Sequence, residues 1–521
     1  MVAANYAPDR RERDLIGERA VDFGYDWMDL TRANVSLEQV NTFLRHVRQT
    51  APMRQDRGSV ISLEQMSPAQ RSVIDLVYEQ VDNLNHPIRR VIVQGKAGTG
   101  KSAIIKAMCR FLDDRLPNSY QVLAPTGAAA VNVDGKTVHN YLRLPVEGPL
   151  RPLDGDNLRQ FQLGFRDVKF IIIDEYSMVG LRLLKKIHLR LCSASGSSAQ
   201  PFGGFYVYMF GDLRQLPPVK DTAIYMEPRD AFGREALALV GSFQRKICLT
   251  VCHCLNRDQT VFQQILDSLA TGTITEEGWR TLMRRRKALI PHEQVSFLNA
   301  LELLPTNQQV KEKNESKLQA NGRAVAAIFA SHNNCIAGNG SDVVAQGLPA
   351  RLYLSIGCRV ILRKNLFVSH GLVNGSLGTV TDIIYSNGER PPLLPAVILI
   401  RFDKYAGPFF REQSQSFPIL PITVSWREQG ADCTRRQYPL NLAYAVTIHK
   451  AQGLTLDKAI VDIGSRETAP GLSYVALSRV KRFEDLALAD GCNYNRLSSI
   501  GRMNSVVARE RFLENFDVAG L

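Results

Sequence analysis

Apolar residues recur along this chain in two rhythms. Between residues 66 and 245, four short and nearly unbroken apolar runs, RRVIVQG, SYQVLAPTG, VKFIIIDE and FYVYMFGD, alternate with longer stretches of helical pattern. Strands that are apolar on both faces and spaced by helices predict a parallel sheet covered on both sides. A second set follows from about residue 250, with LELLPTN, KAIVDIG and DLALAD as strands, and predicts a second α/β unit. Residues 358–438 have another texture: CRVILRKN, SLGTVTDIIY, PAVILIRFD and ILPITVSW, broken by Asn-Gly and Pro-Pro turns. Short strands with turn signals and little helix predict a small β-barrel inserted into the second unit. Residues 1–60 are charged and helix-prone in patches such as SLEQVNTFLRHVRQ, carry no motif, and are expected to be an accessory region.

The first strand ends in chemistry. VIVQGKAGTGKSAIIKAM, residues 91–108, reads as strand, glycine-rich turn and helix, and its turn fits G-x-x-x-x-G-K-[ST] with Gly95, Gly100, Lys101 and Ser102. That spacing lets successive backbone N–H groups of Gly95, Ala97, Gly98, Thr99, Gly100 and Ala103 point inward at nucleotide phosphates. The helix start adds its positive dipole end, Lys101 reaches the outer phosphates, and the Ser102 hydroxyl can ligate magnesium. In FIIIDEYSMV, Asp174 at the carboxyl end of a buried strand suits the same metal, and Glu175 suits the attacking water. FGDLRQLPPV places Gln215 just after another strand of that sheet, within reach of a γ-phosphate.

Composition narrows the class. A chain of 521 residues has room for about three or four domains, and 45% hydrophobic residues can build cores, which excludes a disordered protein. A net charge of +13 and a pI near 9.3 favour a polyanionic partner. Nine cysteines with no repeated spacing argue for reduced thiols in a cytosolic, nuclear or organellar matrix compartment. No apolar run approaches the ~20 residues of a membrane helix, so no membrane partner is expected. The amino terminus mixes acids with bases, unlike a secretory signal or an acid-free transit peptide.

Four further segments carry a resemblance: APTGAAAVNVDGKTVHNYL (124–142), FGDLRQLPPV (210–219), YPLNLAYAVTIHKAQGLTLDKAIVDIG (438–464) and GLSYVALSRVKR (471–482). Together with the phosphate loop and the Asp-Glu strand, in this order over residues ~61 to 490, the set resembles the Pif helicases (petite integration frequency), relatives of bacterial RecD within superfamily-1 DNA helicases. The resemblance implies two RecA-like domains with an inserted SH3-like barrel: domain 1A at 61–245 with a short wedge insertion at about 141–167, domain 2A at 246–357 and 439–521, and domain 2B at 358–438. It implies ATP and Mg2+ as cofactors, with Lys101, Asp174, Glu175, Gln215 and the arginine finger Arg479 as catalytic groups. Ser102 and Asp174 would hold the metal, Gln70 would read the adenine edge, and Gly453 would lie on the nucleotide. Thr126, His139, Asn140, Thr447, His449 and Lys450 would contact single-stranded DNA, while Lys450 and Gln452 would link strand and nucleotide sites. The implied partners are single-stranded and forked or structured DNA. The implied polarity is 5′-to-3′, and the roles are replication, recombination, repair, telomere maintenance or transposition. A monomer or a DNA-induced dimer, in the nucleus or also the mitochondrion, is expected. The helicase portion of Helitron-type transposons is similar too, and a generic P-loop ATPase or nucleotide kinase is the other enzyme class that the phosphate loop alone allows.

One segment departs from the family. The opening of the second α/β unit usually resembles Leu-Thr, three residues, then Arg-Gln, with the arginine reaching the γ-phosphate. Here LTVCHCLNRDQTVF puts Cys254 and Leu255 at those positions. Three readings stand: Arg257 takes over through a shifted loop; Cys248, Cys252, His253 and Cys254 bind zinc; or the chain is a degenerate copy that binds ATP and DNA but hydrolyses slowly.

Overall fold

The structure, a computed structural model, describes residues 21, 25–27, 35–49, 63–145, 148–251, 259–342, 344–367, 370–386 and 388–516. The chain divides into two compact units, residues 56–305 with 448–521, and residues 1–55 with 306–447. Chain order begins with α1 (Leu37–Gln49) in the second of these; α2 (Pro68–Asp82) then opens the unit that carries the motifs.

That motif unit is built on β1 (Arg90–Gly95), β2 (Tyr120–Ala124), β3 (Lys136–Thr137), β4 (Phe170–Ile173), β5 (Tyr206–Gly211) and β6 (Arg245–Leu249). They pair in parallel in the order β3-β2-β4-β5-β1-β6. Side chains alternate across a strand, so Val91, Val93, Phe170 and Ile172 enter one apolar cluster with Ile104, Met108 and Leu112 of α3 (Lys101–Arg115). Ile92, Ile171 and Ile173 enter the opposite cluster, which also takes Phe161 of α4 (Gly155–Leu163) and Leu184, Ile187 and Leu191 of α5 (Leu181–Ser195). Burial on both faces is why these strands read as unbroken apolar runs. The stretch expected as a wedge, 141–167, thus contains a helix whose Phe161 and following Phe165 are buried against the first sheet. After β6 come α6 (Thr260–Thr271) and β7 (Leu301–Leu304).

In the other unit, β8 (Ala326–Phe329) pairs antiparallel with β10 (Arg351–Leu354), and β9 (Ser331–His332) lies between them in sequence. Its main sheet joins β11 (Arg359–Leu362), β12 (Leu377–Ile384), β13 (Val397–Phe402), β14 (Phe417–Ile419) and β17 (Leu440–Leu442) in the order β14-β13-β12-β11-β17, all antiparallel. A register shift between Val380 and Asp382 marks a bulge that bends the sheet. The run ILPITVSW, expected as one barrel strand, is divided: its Ile419 belongs to β14, while β15 (Ile422–Glu428) forms a hairpin with β16 (Ala431–Gln437) in a separate sheet with β9. Pro421 sits at the break, where a residue without an N–H cannot extend a ladder. The unit ends in β18 (Ala445–Thr447).

The stretch 1–60, expected as accessory, supplies part of this core. Val40, Leu44 and Val47 of α1 are buried in the same cluster as Val380, Phe417 and Ile419, and the Phe43 ring meets Phe410 and Phe417 edge-on at 5.3 and 5.8 Å. The i, i+4, i+7 spacing of the three aliphatics makes one apolar stripe, each contributing roughly 1.5–3 kcal/mol on burial. Back in the motif unit, β19 (Ala459–Val461) pairs in parallel with β7 and with β20 (Leu486–Leu488). Between and after these strands lie α7 (Leu472–Leu477) and α8 (Asn504–Leu513). β7, β19 and β20 thus make a parallel sheet separate from the first, as expected of a second α/β region, within residues 56–305 and 448–521, while residues 306–357 join the barrel unit.

Candidate nucleotide and DNA site

β1 ends at Gly95, and the chain turns through Gly98 (φ 82°) and Gly100 (φ 81°) into α3. A Cβ at Gly95 would strike the Thr99 hydroxyl, and the left-handed backbone at Gly100 strains any residue with a side chain, so both positions favour glycine. The Lys101 ammonium folds back onto this loop, donating to the Gly95 and Lys96 carbonyls at 2.6 and 3.0 Å. Ser102 is exposed in the first turn. Gln70 is buried: its Oε1 accepts from the Ser67 N–H at 2.8 Å and its Nε2 donates to the Thr99 carbonyl at 2.9 Å. An amide oxygen accepts twice and an amide nitrogen donates twice, so each end keeps one position for a purine edge while bracing α2 against the loop.

Asp174 follows β4 and is buried, its Oδ1 accepting from the Glu175 N–H at 2.9 Å. Burial first and the Glu175 charge second push its carboxyl up to about 7, against the pull of Lys101. Glu175 adopts the left-handed conformation at φ 53°, and its buried Oε2 has no hydrogen-bond partner among the described residues. The same holds for Gln215 Oε1 and Gln452 Nε2. A buried polar atom left unpaired costs about 1–3 kcal/mol, and these three fall on residues of the nucleotide and strand motifs. Arg479 is buried as well; it donates to the Val475 and Leu454 carbonyls at 2.7 and 3.3 Å and to the Ser478 hydroxyl at 2.7 Å. Those bonds use three of five N–H donors. Burial lowers its pKa, and the charge of Glu175 opposes the shift.

A polar network that the motifs alone did not reveal joins these parts. Gln94, the last side chain before the phosphate loop, donates through Nε2 to Asp212 Oδ1 at 2.8 Å and accepts at Oε1 from the Tyr176 hydroxyl at 2.8 Å and the Leu213 N–H at 3.0 Å. The Tyr474 hydroxyl of α7 donates to Asp212 Oδ2 at 3.0 Å. Lys96 pairs with Asp267 of α6 at 2.8 Å. The available signal was Gln94 itself, a polar residue interrupting the run VIVQG at a position with no exposure to explain it.

Of the DNA candidates, Thr126, His139 and Asn140 follow the carboxyl ends of β2 and β3, and His449 and Lys450 lie in the helical turn Ile448–Ala451 of the same unit. Thr447 is buried at the end of β18, in the other unit. Burial lowers the pKa of both histidines, with the Lys186 charge assisting at His139, so at neutral pH each presents a neutral ring with one N–H. Gly453 has φ 80°. Cys252, His253, Cys254, Leu255 and Arg257 lie outside the described residues; Cys248 lies in β6, half-buried, its thiol pushed up by burial. Among the described residues, no three His, Cys, Asp or Glu side chains gather as a metal cluster.

A phosphate loop, an Asp-Glu pair whose Asp174 is buried, a polar residue after the neighbouring strand and a buried arginine in one parallel-sheet unit define a P-loop NTPase. The profile of the PIF1-like helicases matches residues 65–232, and that of the Pif1 helicase 2B domain matches residues 341–383. The chain is 30% identical over 429 residues to an ATP-dependent DNA helicase Pif1 of Bdellovibrio bacteriovorus, covering 81% of this chain and 88% of that one. It is 30% identical over 413 residues to the human ATP-dependent DNA helicase PIF1, covering 77% of this chain but only 58% of the human protein. The crystal structure of Pif1 helicase from Candida albicans superposes with a TM-score of 0.64 at 25% identity over 86% of this chain and 99% of that one. The chain belongs to the Pif1-like helicase family.

Proposed function

We infer that this chain is an ATP-dependent DNA helicase that moves along single-stranded DNA, 5′-to-3′, and splits forked duplexes. The observation that carries the reading is that the unit holding the phosphate loop and Arg479 also holds three motif residues with a buried polar atom that has no partner among the described residues, Glu175 Oε2, Gln215 Oε1 and Gln452 Nε2. On ATP binding, Lys101 would exchange its loop carbonyls for phosphate oxygens. Glu175 would orient the attacking water, and the free N–H groups of Arg479 would meet charge developing on the transferred phosphoryl group. The hard oxygens of Ser102 and Asp174 suit magnesium, and a carboxyl that burial holds near 7 is one that a cation would return to its charged form. Bound magnesium would supply charge neutralisation on the phosphates.

Thr126, Asn140 and Lys450 offer hydroxyl, amide and ammonium groups to a phosphodiester backbone, contacts that fix position without reading sequence. With the +13 net charge, single-strand binding should fall steeply with salt and vary little with base sequence. The deciding experiment measures ATP turnover with and without single-stranded DNA, then strand displacement on forks bearing either a 5′ or a 3′ tail. Turnover indifferent to DNA overturns the helicase reading; displacement only from 3′-tailed forks overturns the polarity.

A further inference from the structure

The turn that carries Gln215 is held by segments more than 250 residues downstream. The Gln215 N–H donates to the Asp212 carbonyl at 3.0 Å, closing the turn. Tyr474 holds Asp212 by its hydroxyl. Gly471, at φ 86° just before α7, lies so close to the Arg214 and Gln215 carbonyls that any Cβ there would collide. Arg214 donates to the Glu510 carboxylate of α8, from Nη2 to Oε2 at 2.6 Å and from Nε to both oxygens at 3.2 Å. The first two contacts come from the element that leads to Arg479; the third comes from a helix that no motif includes.

α8 is itself firmly seated. Phe512, Leu513 and Phe516 pack against the apolar cluster of the first sheet, and the Lys246 ammonium lies 5.1 Å from the centre of the Phe512 ring. The buried Arg509 donates to the Ala270 carbonyl near the end of α6 and, through Nε, to Glu510 Oε1 at 2.9 Å. Glu510 thus sits between two guanidiniums. Burial alone would raise its carboxyl, but Arg214 and Arg509 together hold it below its ordinary value. A forked pair of this kind fixes the plane of Arg214, which a single ammonium contact would not.

We propose that Glu510 is a positioning residue for ATP hydrolysis: through Arg214 it fixes the Asp212–Gln215 turn and so aims the Gln215 carboxamide at the terminal phosphate. α8 then works as a strap that ties this turn to the end of α6. An electrostatic contact in a dry site depends on orientation to within a few tenths of an ångström, so a turn that can rock loses much of what Gln215 contributes even with its side chain intact.

The proposal rests on the ATPase reading, and two measurements separate them. The full chain, Glu510→Gln, Arg214→Gln and the double variant are compared in steady-state ATP turnover with saturating single-stranded DNA. Hydrogen exchange of peptides spanning residues 210–217 is followed without nucleotide. Each single variant should lose about 10-fold in kcat with KM for ATP within about twofold, and the double should be no worse than either single, as for two residues acting as one unit. Exchange over 210–217 should rise in all three, whereas Glu514→Gln, exposed at the end of the same helix, should match the parent in both assays. Additive losses in the double, a Glu510→Gln kcat within about twofold of the parent, or unchanged exchange over 210–217 each overturn the proposal. A parent protein that hydrolyses no ATP overturns the functional reading instead, and the exchange result then decides the proposal by itself.

Discussion

Two buried arginines, one in each unit, are treated differently. In the barrel unit, Arg435 has no exposure and every donor is engaged: Nε with His332 Nε2 at 3.0 Å, Nη1 with Asp342 Oδ1 and the Leu348 carbonyl at 2.9 Å each, Nη2 with the Gly340 and Ala337 carbonyls. It ties the β15–β16 hairpin to the segment 332–348 and has nothing left to offer a ligand. In the motif unit, Arg479 binds three neighbours, feels the charge of Glu175 and keeps two N–H groups in reserve. Arg435 is fully used by the fold, whereas Arg479 keeps donors that a phosphoryl group could take.

The sharpest way to break this contrast is to remove both kinds of charge. Arg479→Gln and Lys101→Ala should each reduce DNA-stimulated ATP turnover by about 10³-fold or more, because phosphoryl transfer depends on compensating charge at the transferred group. Their melting transitions should stay close to the parent's. Arg435→Met should do the reverse: about 3–5 kcal/mol of stability lost as Asp342 and three carbonyls lose their donor, read by denaturant unfolding, with turnover per folded molecule retained. If Arg435→Met abolished turnover without unfolding, the division of labour between the two arginines would be wrong.

A second contrast concerns cores. The motif unit closes its sheet with helices that follow each strand, whereas the barrel unit borrows α1 from far upstream. Leu44→Ala should therefore cost about 2–4 kcal/mol and lower the unfolding midpoint of the barrel unit, while leaving nucleotide binding by the folded protein unchanged. Equilibrium unfolding followed by a barrel-unit probe, such as Trp426 fluorescence, is the check.

The smallest expected effect is a pH dependence. Glu510 has a folded pKa held below its ordinary value of 4.5 by Arg214 and Arg509 against the upward push of burial. Its contribution to stability is then fully present above about pH 4.5 and lost as pH falls through the lower, folded value. The melting-temperature gap between the parent and Glu510→Gln should be constant from pH 6 to 8 and shrink below about pH 4.5. A gap that widens on acidification would mean that the carboxylate is not the stabilising form.

The sequence by itself determined the parts whose physics is local. The strands of the first sheet were legible because burial on both faces leaves unbroken apolar runs such as FIII, and the phosphate loop was legible because its glycines answer steric demands within one turn of chain. Lys101, Asp174, Glu175, Gln215 and Arg479 were nameable by type and order, and the structure places all five in one unit. Tertiary structure alone decided what depends on distant partners. No local pattern announces that Phe43 will meet Phe417, that a charged amino-terminal helix will complete the core of a barrel, or that ILPITVSW will split across two sheets. Nor could it announce that Asp212 would bind Tyr474 and Arg214 would bind Glu510, since a hydrogen bond or ion pair between residues hundreds of positions apart leaves no periodicity at either end. Amphipathic period and turn chemistry are properties of neighbouring residues, whereas the pairing of buried polar groups is settled only when the folded chain removes water and leaves each group to find a partner.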